Sequence, residues 1–575
     1  MKATHALIPS LLLISFVACA DPGEAQAVGQ SGRSQAGMVS AAHPLAVEAG
    51  VRALEAGGNA ADAAVASAFA LSVVEPTMSS IAGRIQILLR RPDGSFAGID
   101  GTTQAPWDYD YDTAPQARYG YPVIGVPGTV AGLMRLHSEH GSLPLSTLMA
   151  PAIDYAENGF RVLPGAAARQ AAGFVQAVEF PGTVEAFYRG DSTVHAPGDL
   201  LRQPVYANTL RSIAEGGREV FYEGEIARRM ADDLAANGSA LTLQAFKDYE
   251  ALDSKVVRGG YRGYELVGTD IPAAGVLAIQ ALQVLEHFDP SEMTEAEWFA
   301  LVGQALGIAS GELRALGSDT ASARALSKEW AREVAQRLAA PATANIEPEP
   351  DGLASIVDGL VQPANRVPAP TGSRASPPAH DGSAKRPESM HTTHLSTADA
   401  DGMFVSLTQT LGPNMGSKVV TPGLGFLYAS TLGGYLGRME PGQRARSNIC
   451  PFMVVKDGEV ILVLGAAGGG MIPPAVVHAV TRVIDFGMPL PQALAEPRVA
   501  GSGAGISAET APIVGWTASE LEEMRALGLQ VLEVQRSGAY GRVHGIQYDP
   551  ATGVFVGAAD PDWEGAARGP GGRSR

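Results

Sequence analysis

The stretch His391-Thr392-Thr393-His394-Leu395-Ser396 stands at an abrupt change of composition, and the reading of the fold starts there. Upstream, from Pro341 to Met390, Pro341, Pro348, Pro350, Pro363, Pro368, Pro370, Pro377, Pro378 and Pro387 are scattered among Ala, Ser and Gly. That is the composition of a linker with little to bury. Downstream, Thr393–Thr397, Phe404–Thr410, Phe452–Lys456 and Glu459–Leu464 alternate or run apolar and read as strands, with Lys456-Asp457-Gly458 as a hairpin turn. Thr392 thus lies where a linker meets a rigid strand. A threonine hydroxyl is a poor nucleophile unless a base stands beside it, and a free α-amino group on the same residue, with a pKa of about 7.7–8, is such a base. Exposing that amine requires the chain to cut itself before the Thr, by hydroxyl attack on the preceding carbonyl and hydrolysis of the resulting ester. A plain strand edge fits the same residues, because β-branched Thr favours strands.

Working outward, Gly37–Pro44 reads as a short strand, Ala46–Ala56 as a helix stopped by Gly57-Gly58, and Asn59 as the cap of an Ala-rich helix over Ala60–Val74 that Glu75-Pro76 ends. Strands are predicted at Gln86–Arg90 and Phe96–Asp100, followed by a helical section to about Gln336. A strand over Val256–Val267 and a helix over Ala273–Phe288 interrupt it. Helices at Pro474–Phe486 and Ala518–Ala526 complete the pattern. Strand pairs with flanking helices predict stacked sheets covered by helices on both sides.

With 46% hydrophobic and 18% charged residues among 575, the chain has the composition of a folded protein rather than a disordered or multi-span one. A net charge of −18 gives no basic footprint for nucleic acid. Lys2, the apolar run Leu7–Ala18 and the small residues after it make residues 1–20 a predicted export signal. Phe16-Val17-Ala18-Cys19 also resembles a lipoprotein signal, with Phe where Leu is usual, while Ala18-Cys19-Ala20 suits ordinary cleavage. The expectation is a periplasmic protein or one lipid-anchored through Cys19 to a bacterial envelope membrane. Cys450, the other cysteine, sits in an apolar run and reads as a buried structural thiol. His391 and His394 have no thiol or carboxylate at metal-ligand spacing, and Gly465–Gly470 lacks the Lys-Ser/Thr of a phosphate loop, so neither a metal nor a cofactor is expected.

Gly37–Arg84, Val126-Pro127-Gly128-Thr129-Val130-Ala131-Gly132, Ala156-Glu157-Asn158-Gly159-Phe160, Phe221-Tyr222-Glu223-Gly224, Tyr261-Arg262-Gly263-Tyr264 and Thr392–Gly402 resemble, in that order, the γ-glutamyltranspeptidase family. The resemblance runs from about Gly37 to Pro561 and implies an α+β fold, the four-layer αββα sandwich of N-terminal nucleophile hydrolases. It implies a precursor cut between His391 and Thr392 into a large chain, 21–391 with its Pro-rich end 341–391, and a small chain, 392–575, that remain paired. By the family pattern Thr392 is the nucleophile, its new amine the base, and Thr410 a supporting hydroxyl. Gly468 and Gly469 match the pair whose N–H groups form the oxyanion hole.

The glutamate-recognising residues of that pattern are altered. The arginine that grips the α-carboxylate is Thr102, the acid that holds the α-ammonium is Gly434, a neighbouring polar contact is Thr431, an assisting Asn is Gly412, and a pair of serines survives as Ser447-Asn448. Arg84, in Ile81-Ala82-Gly83-Arg84-Ile85, is either a surface residue on a changed loop or a guanidinium relocated to the same pocket. Losing both charge partners disfavours a zwitterionic glutamyl group. The predicted activity is therefore hydrolysis, or less often transfer to an amine, of γ-glutamyl or related acyl amides of small molecules. The alternative is an exported binding protein on a catalytically degenerate scaffold.

Overall fold

A computed structural model describes residues 30–190, 193–315, 323–339, 391–502, 505–511, 514–536 and 540–571. The predicted export signal with Cys19 and the predicted linker Pro341–Met390 lie outside the described residues.

Two seven-stranded sheets stack face to face. One runs, edge to edge, through Ala566–Arg568, Gly37–Ala41, Thr393–Asp399, Phe404–Thr410, Arg84–Arg90, Phe96–Gly101 and Leu252–Asp253. The other runs through Ser31–Ser34, Val554–Ala559, Arg542–Asp549, Glu459–Ala467, Phe452–Lys456, Tyr264–Thr269 and Val256–Tyr261. The outer face of the first is covered by helices that include Pro44–Glu55 and Ala60–Val74, and that of the second by Gly275–Leu285, Glu295–Ala315 and Ile472–Ile484. The result is the predicted α+β sandwich of helices, two sheets and helices. No helix among the described residues is long and apolar enough to cross a membrane.

The Ala60–Val74 helix has the bounds read from sequence, and every residue of it is buried. Asn59 and Asp62 close a reciprocal capping box at its start, satisfying N–H groups that burial would otherwise orphan. Its small side chains permit close packing, for a Cβ on Gly50 of the Pro44–Glu55 helix would come within 2.3 Å of Ser67 Oγ. The predicted strand over Val256–Val267 is corrected. The chain folds back at Arg262 and Gly263, both at positive φ, into the hairpin Val256–Tyr261 and Tyr264–Thr269. Cys450 packs among apolar residues of the outer core, and burial pushes its thiol far up, as an inert structural cysteine requires.

The layer between the sheets changes character along its length. At one end Met38, Leu88, Ala398, Phe404, Val463 and Ile546 form an apolar cluster. Moving along the strands, the same faces carry Ser396, Ser406, His394 and Thr408, all buried. Thr392, Thr410 and Arg84 stand beyond them. This polarity gradient, set by alternate residues on three neighbouring strands, creates the polar end of the sandwich where the candidate site lies.

Candidate active site

Thr392 immediately precedes its strand and lies across from Thr410, since Thr393 pairs with Gln409. Its hydroxyl donates to Thr410 Oγ1 at 2.9 Å, and the same oxygen accepts the Gly412 N–H at 2.9 Å. Thr392 has a φ of 122°, a conformation that costs a β-branched residue about 1–3 kcal/mol and persists only where its surroundings hold it. The side chain is 4% exposed.

The Glu459–Ala467 strand, which leads to the Gly468-Gly469 turn, packs against this sheet from the opposite one. Ser406, paired with Ser396, donates to Leu464 O at 2.8 Å. One residue later Gly465 lies so near His394 that a Cβ would come within 2.4 Å of its ring. Continued in the same direction, the path that passes from Ser396 to His394 leads to Thr392 on one sheet and to Gly468 on the other. Gly468 and Gly469 adopt φ of 138° and 57°, and a short turn over Gly469–Met471 runs directly into the Ile472–Ile484 helix. Backbone N–H groups at such a start are preorganised donors for negative charge.

His394 donates or accepts at Thr408 Oγ1 (2.7 Å) and Ser396 Oγ (3.1 Å), and burial drives its pKa well below the ordinary histidine value. Neutral and locked in this way, it spaces the strands. On the other face of the strand, Thr393 Oγ1 donates to Glu75 at 2.7 Å, and Glu75 pairs with Arg169 at 3.4 Å. Arg169 and Arg542 both lie over Trp563, at 4.4 and 4.1 Å from the ring centroid. Burial raises the Glu75 carboxyl while the two guanidinium groups pull it back, and burial beside Arg169 pushes Arg542 down to about 10. Sequence reasoning missed this cluster. Glu75-Pro76 reads as a helix stop, and Arg169 and Arg542 carry no local signal that brings them together.

The remaining predicted residues divide into engaged and open positions. Thr102 is fully buried, its hydroxyl donating to Asp100 at 2.6 Å and its carbonyl accepting from Tyr249 and Arg444. Thr431, also fully buried, donates to Thr103 Oγ1 at 2.8 Å. Ser447 is half-buried, with its N–H on Pro272 O at 2.8 Å, and Asn448 is exposed near Gly470. Gly434 is exposed and donates its N–H to Ala117 O at 3.0 Å. Arg84 is not the surface residue of one sequence expectation. It is 2% exposed, opens the Arg84–Arg90 strand and pairs directly with Thr410. Among the described residues no group of His, Cys, Asp and Glu is arranged to hold a metal ion.

A sequence model of the gamma-glutamyltranspeptidase family matches residues 46–569. An acylase ACY 1 proenzyme from Pseudomonas sp. (strain V22) is 31% identical over 552 residues, covering 91% of each chain. A glutathione hydrolase proenzyme from Escherichia coli (strain K12) is 27% identical over 567 residues, covering 92% of this chain and 91% of its own. The crystal structure of a cephalosporin acylase from Bacillus halodurans matches with a TM-score of 0.79 at 26% identity, covering 94% of this chain and 97% of that one.

Proposed function

This chain belongs to the gamma-glutamyltranspeptidase family, an enzyme family of glutathione hydrolase and acylase type, and we propose that it cuts itself between His391 and Thr392 and then hydrolyses acyl amides through an ester on Thr392. The observation that carries this reading is the Thr392–Thr410 hydroxyl pair, with Thr392 held at a φ of 122°.

In the first stage the Thr392 hydroxyl attacks the His391 carbonyl, and the acyl group moves from nitrogen to oxygen. Water then hydrolyses the ester, leaving a carboxylate on His391 and a free amine on Thr392. The strain at Thr392 raises the precursor's energy and is relieved when the peptide bond is cut. In the second stage that amine takes the hydroxyl proton as Oγ1 attacks the substrate carbonyl. The negative oxygen of the tetrahedral intermediate rests on the Gly468 and Gly469 N–H groups. The amine then passes its proton to the departing nitrogen, the C–N bond breaks, and water enters by the reverse sequence to release the acid. Thr410 orients Oγ1 by their hydrogen bond, accepting from the Thr392 hydroxyl until that proton leaves and then turning its own hydroxyl to donate to Oγ1. Transfer to water is favoured, with an amine as the less frequent acceptor.

Intact mass of the purified protein, read with N-terminal sequencing, tests this. Two chains are expected, the smaller beginning at Thr392, and Thr392→Ala abolishes both cutting and turnover. Cutting that persists in Thr392→Ala would overturn the mechanism.

A further inference from the structure

Two threonine hydroxyls meet across neighbouring strands, and a single turn behind the sheet holds the residues next to both. Thr393 and Gln409 are directly opposed, one beside Thr392 and the other beside Thr410. Thr393 Oγ1 donates to Glu75 at 2.7 Å, and Gln409 Nε2 donates to the Ala68 carbonyl at 3.0 Å and to Ser79 Oγ at 3.3 Å. On the far side of Thr410, the Leu411 N–H donates to the Met78 carbonyl at 3.2 Å. Glu75, Met78 and Ser79 all belong to the turn over residues 75–79 that follows the Ala60–Val74 helix.

That turn is itself tied together. The Met78 and Ser79 N–H groups donate to the Glu75 carbonyl at 2.9 and 3.2 Å. Arg169 spans it, from Nε to Thr77 Oγ1 at 3.0 Å and from Nη2 to the Glu75 carboxylate at 3.4 Å. Thr393, Glu75, Thr77 and Arg169 are all buried.

Holding one hydroxyl does not require a charge, for a neutral acceptor would do so without the cost of burying a carboxylate. What the carboxylate adds is direction and strength. In its charged form it only accepts, so the Thr393 hydroxyl is fixed as the donor of a charge-assisted bond. Arg169, Arg542 and that bond favour the charged form, against burial and Glu564. The residue anchored in this way directly follows Thr392, whose φ of 122° persists only where the surroundings over-determine it. Thr410 restrains the Thr392 side chain, and Glu75 restrains the next link of its backbone.

We propose that Glu75 is a positioning residue for Thr392: through Thr393 it fixes the backbone from which the nucleophilic hydroxyl is presented, while the turn it opens fixes Thr410 from behind. This rests on the acyl-Thr392 reading above. Glu75 touches neither the substrate nor the reacting atoms, so it governs the approach of Oγ1 to a carbonyl and leaves acyl recognition alone. It acts in both the cutting of the chain and turnover, because both begin with the same hydroxyl.

Thr393→Val keeps the shape of the side chain and removes the donor, Thr393→Ser returns the donor, and Glu75→Gln keeps an acceptor oxygen without the charge. Two rates are read on each full-length protein: self-cutting, by intact mass after cell-free synthesis, and steady-state turnover of whichever of the γ-glutamyl and pentanoyl p-nitroanilides the wild type prefers. Thr393→Val is expected to slow cutting and to lower kcat by about 10- to 100-fold with KM unchanged, the scale set by a misplacement of about 1 Å in a reacting atom. Thr393→Ser should recover most of both rates, and Glu75→Gln should fall between. If Thr393→Val does not fold, as judged by urea unfolding, Glu75→Gln against the wild type carries the same comparison. Wild-type rates in Thr393→Val and Glu75→Gln overturn the proposal, as does a loss confined to KM or a Thr393→Ser variant no better than Thr393→Val. A small chain beginning at Thr393 overturns it too, since Glu75 would then be arming Thr393 itself. A wild-type chain that stays uncut and inactive overturns the acyl-threonine reading and this one with it.

Discussion

Arg84 and Arg498 are arginines of nearly equal burial, and their surroundings could hardly differ more. Arg498, 1% exposed, donates to Asp560 at 2.6 Å, to the Gly541 carbonyl at 2.6 Å and to the Leu494 carbonyl at 2.9 Å. Its own N–H bonds Glu509, and its carbonyl accepts the Trp516 indole. Asp560 and Glu509 raise its pKa despite burial, whereas burial lowers that of Arg84. The fold ties one cation to carboxylates and carbonyls and holds the other, two strands from Thr392, with no carboxylate partner among the described residues. Burial alone does not say how a charge inside the fold is compensated; the partner set does.

The comparison is sharpened most by removing each charge in turn. Arg498→Met takes from buried Asp560 the guanidinium it is hydrogen-bonded to, leaving Arg536 and the Val543 N–H, at an expected cost of up to about 3–5 kcal/mol in urea unfolding. Arg84→Met deletes a charge that already lacks a partner, in exchange for an apolar side chain. Its stability should be unchanged or higher, because the desolvation penalty goes with the charge. A loss for Arg84→Met as large as that for Arg498→Met would show that the fold depends on both.

The Gly468-Gly469 turn, proposed above to hold the negative oxygen, presents a third arrangement, in which the donors are backbone N–H groups alone. Gly468 sits at a φ of 138°, where a Cβ is strained whatever the space around it. Gly468→Ala should rotate the turn and its N–H groups, lowering kcat by about 10²–10³, the value of one such donor. Gly469 at 57° lies in the left-handed region that other residues enter at modest cost, so Gly469→Ala should be milder. Steady-state kinetics of the two variants, with circular dichroism as the control for folding, checks the order. Equal losses would mean that strain at Gly468 is not what aims the donors.

These contrasts also show what was legible before the structure. The Phe404–Thr410 and Phe452–Lys456 strands have the bounds read from sequence, because turn residues bracket short apolar runs. The hairpin at Arg262-Gly263 was concealed by an arginine at positive φ, a position where Gly or Asn is the usual signal. Strands Arg542–Asp549 and Val554–Ala559 were not read at all, since glycines and His544 dilute their alternation while their pairing is fixed by distant partners. Thr392, Thr410, Gly468 and Gly469 are singled out by family spacing alone, whereas the direction taken by Arg84 is not legible in the sequence. Whether an arginine opening a strand turns to solvent or between sheets depends on Thr410 and Gly412, far along the chain. The joining of Glu75, Arg169 and Arg542 is equally non-local.

His544 gives the smallest and most graded test of how this interior treats charge. It faces the layer between the sheets, where Arg542 lowers its pKa and Asp560 raises it, and His394 is a further neighbour. Neither ring nitrogen has a hydrogen-bond partner among the described residues. Burial outweighs the other influences and brings it down from 6.5 to about 3. The folded protein therefore holds it neutral, while the unfolded chain protonates it below about pH 6.5. Its contribution to stability is complete above pH 6.5 and is lost as pH falls toward 3, at up to about 1.4 kcal/mol per pH unit. Urea unfolding at pH 7, 6 and 5 should show that decline, and His544→Gln should flatten it by a comparable slope whatever its effect at pH 7. An unchanged slope would mean that His544 takes up its proton inside the fold, with Asp560 serving it as it serves Arg498. The interior between the sheets would then accept a second such cation, and the contrast drawn between Arg84 and Arg498 would weaken accordingly.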